Sequence, residues 1–228
     1  HKTFTDTQRK LIELEATYIF DKKEPRERLN SLKLKMINTK SNPVARIKSK
    51  TCILRGGKQV TNQSHFDIDR QPNIVLICKD ARVTLNGYNP DPKNGLFHGS
   101  LGIVRDIVYD IEKLPNLGDF PAYVLVEFYQ YCGKNIIENF PRCVPVVAIT
   151  VRCNRQCCSR TYMPLALAYG KTAHTFQGQN VGPVPLGRPE NPIKKIIVDP
   201  GTRSFEGNNV GLFYQLLSRA TTIGNRED

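Results

Sequence analysis

The sequence Asn73-Ile74-Val75-Leu76-Ile77-Cys78-Lys79-Asp80-Ala81-Arg82-Val83-Thr84-Leu85-Asn86 contains two short β-branched runs on either side of Lys79-Asp80. This pattern is typical of strands joined by a turn. Three similar runs follow at 101–108, 122–128 and 144–151, separated by Gly, Pro, Asn and Asp. The spacing predicts an all-β segment over 73–160, which we expect to close into a small antiparallel barrel.

Helix and strand signals alternate on both sides of this segment. Before it, Ala16–Phe20 is a β-prone run, and after it Lys194–Val198 is a candidate for a buried strand. Between 42 and 72 no period persists, which predicts a loop. The simplest arrangement is a discontinuous α/β domain, formed by residues 1–72 and 161–228, that carries the barrel as an insertion.

Three helices are expected in the α/β segments. Thr5–Leu14 can form a short helix, and Glu24-Pro25 opens a second one because Pro is tolerated in a first turn. A third closes the chain. The spacing of apolar residues predicts which face each of the last two helices buries. The predicted stripes are Leu29, Leu32, Met36 and Ile37 in the second helix, and Val210, Phe213, Tyr214 and Leu217 in the closing helix.

Composition restricts the partner and the compartment. The 228 residues include 33 Lys and Arg against 21 Asp and Glu, a net charge of +12 that favours a polyanionic partner such as nucleic acid. No apolar run approaches the roughly 20 residues that span a bilayer, and the first residues are not a signal peptide. We therefore expect a nuclear or cytoplasmic protein, or a mitochondrial one, rather than a secreted or membrane protein. Since the chain starts at His1, we treat it as a fragment.

The sequence supports neither a phosphate-binding P-loop nor a structural zinc site. A phosphate-binding P-loop needs a glycine five positions before its Gly-Lys pair, but Leu165 precedes Gly170-Lys171 and Cys52 precedes Gly57-Lys58. The seven cysteines form only one short-spaced group, Cys153, Cys157 and Cys158, and no histidine lies in that segment. This arrangement favours reduced thiols over a structural zinc site, so we predict no metal ligands.

Two segments carry the strongest chemical signal. The first is Pro164-Leu165-Ala166-Leu167-Ala168-Tyr169-Gly170-Lys171-Thr172-Ala173-His174-Thr175-Phe176-Gln177-Gly178-Gln179-Asn180-Val181, and the second is Phe213-Tyr214-Gln215-Leu216-Leu217-Ser218-Arg219-Ala220-Thr221. They resemble motifs V and VI of superfamily-one helicases, usually written P-L-x-L-A-Y-A-x-T-I-H-K-S-Q-G-x-T and Y-V-A-L-S-R-A-T. A third match lies in 81–86 and 95–104. It is similar to the consensus sequences G-A-x-V-M-L-x-x-N and G-L-x-N-G-x-x-G-x-V of the Pif-like and RecD-like branch of these helicases.

This resemblance implies the C-terminal part of an ATP-dependent DNA helicase. The α/β segments then form the second RecA-like motor domain, of the P-loop-NTPase type, whose nucleotide lies against a first motor domain upstream in the same protein. The implied cofactors are ATP and Mg²⁺, with most Mg²⁺ ligands on the missing domain. The implied partners are single-stranded DNA and duplex/single-strand junctions, in processes such as repair, recombination and telomere maintenance. The fragment alone is expected to be inactive as an ATPase.

The resemblance also assigns roles to individual residues. Arg219 is the candidate catalytic arginine finger, because the planar guanidinium fork suits phosphate oxygens and stabilises charge in a transition state. Gln177 and Gly178, together with Arg219, are expected to face the nucleotide. Thr172 and His174 are expected to bind DNA phosphates. From the pattern alone, Arg219 can instead cap helix carbonyls, and Thr172 and His174 can be helix-start and core residues.

The first segment departs from the family's consensus sequence at two positions. Thr175 stands where the family prefers Lys, and Phe176 where it prefers Ser. Losing a cation near the DNA strand weakens or alters DNA contact. These departures, the missing P-loop and the positive charge keep open an alternative, a non-catalytic nucleic-acid-binding module or a degenerate helicase fragment.

Overall fold

The computed structural model describes residues 5, 7, 15–53, 72–110, 119–138, 140–153, 158–176, 181–182, 193–199, 201, 207 and 209–220. The strands are β1 (Thr17–Phe20), β2 (Ala45–Lys48), β3 (Lys50–Ile53), β4 (Ile74–Ile77), β5 (Arg82–Leu85), β6 (Leu101–Val108), β7 (Tyr123–Phe128), β8 (Cys143–Val146), β9 (Ile149–Arg152), β10 (Cys158–Tyr162), β11 (Leu165–Leu167), β12 (Gly170–Thr172) and β13 (Ile196–Val198). The α-helices are α1 (Lys23–Ile37), α2 (Ala173–Phe176) and α3 (Leu212–Leu217), and Pro92–Asn94 forms a 3₁₀ turn. None of the helices in these ranges is long and apolar enough to cross a membrane.

The chain divides into two compact units. Unit 1 contains residues 1–35 and 168–228, and unit 2 contains residues 36–167. Unit 1 is therefore discontinuous in sequence, and unit 2 is continuous. The mixed α/β class expected from the sequence is confirmed. The boundaries 1–72, 73–160 and 161–228 stay a prediction.

Unit 1 contains a parallel sheet with strand order β12-β1-β13. The central strand β1 sets the register, with Phe20 opposite Thr172 and Ile19 opposite Val198. The strand expected at Ala16–Phe20 is confirmed, and the one expected at Lys194–Val198 is present but half-buried. Parallel strands need crossover connections, which explains why strand and helix signals alternate in this part of the sequence.

The buried faces of two helices differ from the predicted stripes. Helix α1 buries Asn30 and Leu34, whereas Leu32 and Met36 are 57% and 64% exposed. The side chain of Asn30 bonds to the backbone of a strand, and this polar contact fixes the rotation of α1. Helix α3 buries Leu212 and Leu216, one turn apart, and leaves two members of its predicted stripe exposed, Val210 and Tyr214. The short helix expected over Thr5–Leu14 lies mostly outside the described residues.

Unit 2 is built from antiparallel strands. A five-stranded sheet has the order β11-β5-β6-β7-β8, a three-stranded sheet the order β3-β10-β9, and β2 pairs with β4. The first four runs predicted as strands are confirmed, whereas the fifth, 144–151, is divided into β8 and β9, which belong to different sheets. The loop predicted between 42 and 72 was wrong for its first part, since β2 and β3 lie there and find their partners at β4 and β10. Such pairing over distance leaves no local periodicity in the sequence.

The predicted barrel is not confirmed. In the described part of unit 2, β11 and β8 are the two ends of the five-stranded sheet, which is open. The core of this sheet consists of alternating residues from β5, β6 and β7 that are fully buried: Val83, Leu85, Val104, Val124, Val126 and Phe128. Alternation of this kind buries one face of a sheet whether or not the sheet closes.

Two glycines of the third matched segment are required by the backbone. Gly95 has φ +85°, and a Cβ there would lie 2.2 Å from the carbonyl oxygen of Gln130. Gly102 sits in β6 so close to β7 that a Cβ would lie 2.6 Å from the carbonyl oxygen of Glu127. Only glycine avoids these contacts.

The side chain of Glu127, in β7, binds one arginine of β6 and one that directly precedes β8. Its Oε2 accepts from Arg105 Nε at 2.8 Å, and its Oε1 accepts from Arg142 Nη2 at 2.9 Å. The bond to Glu127 raises the pKa of Arg105. Arg105, one of the scattered cations of this region, is thus held in a network within the sheet.

Candidate functional site

The predicted DNA-binding residues lie at the carboxyl edge of the parallel sheet in unit 1. Strand β12 ends at Thr172 and passes directly into α2, while β1 and β13 end beside it and are followed by Asp21 and Asp199. In parallel α/β sheets, ligands bind outside the carboxyl ends of the strands. The site residues in the first matched segment are therefore at the edge where a ligand is expected.

Thr172 and Thr175 form a closed set of hydrogen bonds at the start of α2. Thr175 Oγ1 accepts from the Thr172 backbone N–H at 3.1 Å and donates to the Thr172 carbonyl at 2.9 Å. The two hydroxyl oxygens are 3.1 Å apart, so Thr172 Oγ1 can donate to Thr175 Oγ1. A side chain at the third helical position that binds the N–H of the residue before the helix is half of a capping box. The departure at Thr175 thus has a local structural function.

The neighbouring residues of α2 differ in exposure. His174 is exposed, and Thr172 is buried, with 8% of its surface accessible. Phe176, the other departure from the family text, is fully buried, and α2 packs against α3 and β1. Phe176 therefore belongs to the core of unit 1, and His174 is the predicted DNA-binding residue that solvent reaches.

Asn30 is a site residue that the sequence patterns missed. Its Oδ1 accepts from the Gly170 N–H at 2.8 Å, and its Nδ2 donates to the Gly170 carbonyl at 3.4 Å. Because Tyr18 N–H donates to the Tyr169 carbonyl in the parallel ladder with β1, the polar groups of Gly170 point to the other side of β12. The Asn30 amide takes both of them and holds the strand that leads to Thr172. The available signal was an amide among apolar residues in the middle of a helix, where Asn is a poor helix former.

Lys171 is buried in the middle of β12. Only 6% of its surface is exposed, and burial lowers its pKa to about 8. Gly170, Lys171 and Thr172 form a β-strand, with the lysine turned into the fold. This agrees with the sequence argument that Gly170-Lys171-Thr172 is not a P-loop.

The two matched segments meet through a backbone hydrogen bond. Val181, at the end of the first segment, donates its N–H to the carbonyl of Arg219 at 3.1 Å, and Val181 and Ala220 form a parallel bridge. Helix α3 ends at Leu217, so Arg219 lies two residues after the end of the helix. Its N–H donates to the Leu216 carbonyl at 3.3 Å.

The Arg219 side chain is half-buried, and its Nε has no hydrogen-bond partner among the described residues. A buried donor without a partner is costly unless a ligand or a further group accepts from it. Such an atom fits a side chain whose acceptor comes from outside this part of the chain. Gln177 and Gly178, the other predicted nucleotide contacts, lie outside the described residues.

Solved structures match the chain over nearly its whole length, whereas no family model and no curated protein matches it. A structure of Pif1 helicases concerned with DNA unwinding at forked duplex DNA has a TM-score of 0.58 at 19% identity, and the match covers 96% of this chain and 41% of that one. The Pif1 helicase of Candida albicans gives 0.58 at 20% identity, covering 94% and 55%. The chain has a Pif1 helicase fold. It spans about half the length of these Pif1 chains. Because the match covers nearly all of this chain, the resemblance seen in the sequence is confirmed for the fold.

A third match describes the ligands of one such protein. Pif1 helicase from Bacteroides, solved with ADP-AlF3 and single-stranded DNA, gives a TM-score of 0.55 at 19% identity, and the match covers 91% of this chain and 38% of that one. The Pif1 fold thus binds a nucleotide analogue and DNA in that relative.

Proposed function

We propose that this chain is the second RecA-like motor domain, with its inserted β-rich unit, of a Pif-like DNA helicase that translocates on single-stranded DNA and unwinds duplex with ATP hydrolysis. The bond between Val181 and Arg219 is the observation that carries the proposal. It joins the end of the motif V segment to the motif VI arginine. In a motor of this kind, a rigid connection between the DNA-contacting and nucleotide-contacting segments couples ATP turnover to movement on DNA.

Arg219 is proposed to complete an ATP site that a preceding motor domain supplies in cis. The half-buried side chain, with an Nε that lacks a described partner, suits a guanidinium that bonds a phosphoryl group when the two domains close. Gln177 and Gly178 are proposed to lie beside the same nucleotide. When bound, ATP with Mg²⁺ supplies the phosphoryl transfer, and the Mg²⁺ ligands are proposed to lie in the preceding domain.

The DNA contact is proposed to run along the carboxyl edge of the parallel sheet. His174 is exposed there and can donate to a phosphate oxygen. The Thr172 hydroxyl is within hydrogen-bonding distance of the Thr175 hydroxyl. It can donate to a phosphate oxygen only after its O–H bond rotates away from Thr175. Both units carry more basic than acidic residues, which favours a polyanionic strand across either of them. Forks and duplex junctions are the proposed substrates.

The test uses the protein translated from the whole reading frame. Arg219→Ala is expected to abolish most DNA-stimulated ATP turnover while leaving single-strand binding within about twofold, because an arginine finger contributes about 10³-fold or more to turnover. Arg219→Lys keeps the charge but not the fork, and is expected to recover little. Arg28→Ala, at an exposed position in α1, is the control. Turnover close to the wild type in Arg219→Ala refutes the assignment.

The second candidate is a non-catalytic nucleic-acid-binding module, favoured by the charge of +12 and by the absence of a P-loop sequence. It predicts binding to single-stranded DNA that weakens steeply with salt and does not respond to ATP. The discriminating measurement is the affinity of the whole protein for single-stranded DNA with and without a non-hydrolysable ATP analogue. A change in affinity supports the motor, and an unchanged affinity supports the module.

A further inference from the structure

Two cysteines of unit 2 lie opposite each other at the end of an antiparallel strand pair. In the β9–β10 ladder Arg152 pairs with Ser159, so Cys153 and Cys158 are the next pair outward. The Cys153 N–H donates to the Cys158 carbonyl at 3.1 Å. A directly opposed pair that is joined by a backbone hydrogen bond has Cα atoms about 5.5 Å apart. This separation falls inside the range of about 4.4–6.8 Å that a disulfide spans.

The two side chains also share one environment. Cys153 and Cys158 are 4% and 6% exposed, and together they form a small buried cluster of their own. The two side chains therefore lie on the same face of the strand pair and contact each other. The proposed nucleotide and DNA contacts do not include them.

We propose that Cys153 and Cys158 are a redox modification site that forms a cross-strand disulfide by exchange with a small disulfide such as glutathione disulfide. One thiolate attacks a sulfur of glutathione disulfide and forms a mixed disulfide, and the released glutathione thiolate takes up the proton. The second thiolate then attacks the protein sulfur of the mixed disulfide and releases the second glutathione. Two electrons and two protons pass from the protein thiols to one glutathione disulfide, which becomes two glutathione molecules.

The other described cysteines lack these features. Cys52 lies opposite Ser159 in the β3–β10 ladder. Cys143 lies opposite Glu127 in the β7–β8 ladder, and Cys78 and Cys132 lie outside the strands. Among the residues that the structure describes, Cys153 and Cys158 are the only two cysteines in opposed positions of a strand pair.

Peptide mapping of the whole chain tests the proposal. The folded, reduced protein is incubated with glutathione disulfide, the remaining thiols are alkylated in acid denaturant, and the product is digested with trypsin. Cleavage after Arg152, Arg155 and Arg160 puts Cys153 in peptide 153–155, and Cys157 and Cys158 together in peptide 156–160. We expect these two peptides as one linked species, lighter by two hydrogens than their sum, which dithiothreitol separates.

Variants decide which thiol is used. Cys153→Ser and Cys158→Ser are expected to abolish the linked species, and Cys157→Ser and Cys52→Ser are expected to retain it. Far-UV circular dichroism before oxidation checks that each variant is folded, and the mapping of the unsubstituted protein stands independently of them. A linked species that persists in Cys158→Ser, a mixed glutathione adduct that never closes, or full alkylation of both cysteines overturns the proposal.

Discussion

Replacing Asn30 with Ala is expected to loosen the attachment of strand β12 and to destabilise unit 1. The Asn30 amide holds both backbone groups of Gly170, with the N–H bond at 2.8 Å and the bond to the carbonyl at 3.4 Å. In the variant these groups lose their protein partners. Since Asn30 is only 8% exposed, water replaces the amide poorly.

The magnitude follows from three contributions. A buried backbone group without a partner costs about 1–3 kcal/mol, and the short bond to the N–H is affected fully. Loss of the longer bond to the Gly170 carbonyl is expected to cost about half as much, because a hydrogen bond of that length is weaker. Ala is a better helix former than Asn, which returns about 0.5 kcal/mol in α1. We therefore expect the free energy of unfolding of unit 1 to fall by about 2 kcal/mol.

Urea unfolding followed by circular dichroism measures this loss. Ser31→Ala, at the next and exposed position of α1, gains helix propensity in the same way without touching β12, so it is the matched control. Amide hydrogen exchange adds a local measurement, because the Gly170 N–H is expected to exchange much faster in Asn30→Ala than in Ser31→Ala. Equal stabilities of the two variants, within about 0.5 kcal/mol, would refute the role given to Asn30.

Three further substitutions give separate expectations. Thr175→Val should lower the free energy of unfolding by about 1–2 kcal/mol because it removes the bonds to Thr172, while Thr175→Ser should keep most of that stability in the same urea titration. Lys171 has a pKa of about 8 in the folded chain against 10.5 as its ordinary value, so above pH 8 the unfolded chain binds more protons and stability rises with pH. Relative to Lys171→Met, the wild type should gain about 2 kcal/mol between pH 8 and about pH 10, and parallel stability curves for the two proteins would contradict this. Gly102→Ala forces a Cβ against the β7 backbone and should lower the melting temperature by several degrees, whereas Gly207→Ala, whose added Cβ has no described residue within 4 Å, should not; equal melting temperatures would exclude the close approach.

Strand positions were predicted best where burial alternates along the strand, as it does in β4 and β5. The buried positions of these two strands carry aliphatic residues, Val75, Ile77, Val83 and Leu85, and the turn between them uses residues suited to turns. What alternation does not specify is which strands pair. The open five-stranded sheet includes β11, a partner of β5 from far along the chain, and a local pattern carries no signal for it.

Helix faces were predicted less well, for a reason visible at Asn30. A count of apolar residues treats a buried amide as a member of the polar face, although its two hydrogen bonds decide how α1 docks. In the same way, Thr175 was interpreted only as the loss of a lysine, whereas its hydroxyl organises the start of α2. The available signal was the spacing of Thr172 and Thr175, which matches the S/T-x-x-E/Q pattern of a capping box except at its last position.

For the candidate site, the sequence predicted which residues belong together but not how exposed each one is. Motif order predicted that Thr172, His174 and Arg219 belong together, and all three lie in unit 1. The motif sequences do not specify exposure, so the structure alone shows that Thr172 and Lys171 are buried and His174 is exposed. The roles of these residues in ATP turnover and DNA binding stay predictions.

The coding sequence upstream of His1 tests the proposed motor most directly. Since the chain has no P-loop of its own, an ATP-driven motor needs a phosphate-binding loop in the preceding domain. We expect an in-frame G-x-x-x-x-G-K-[ST] motif, followed by a strand that ends in Asp-Glu. An in-frame stop codon, or a start codon directly before His1, would contradict the motor and leave a free-standing nucleic-acid-binding module.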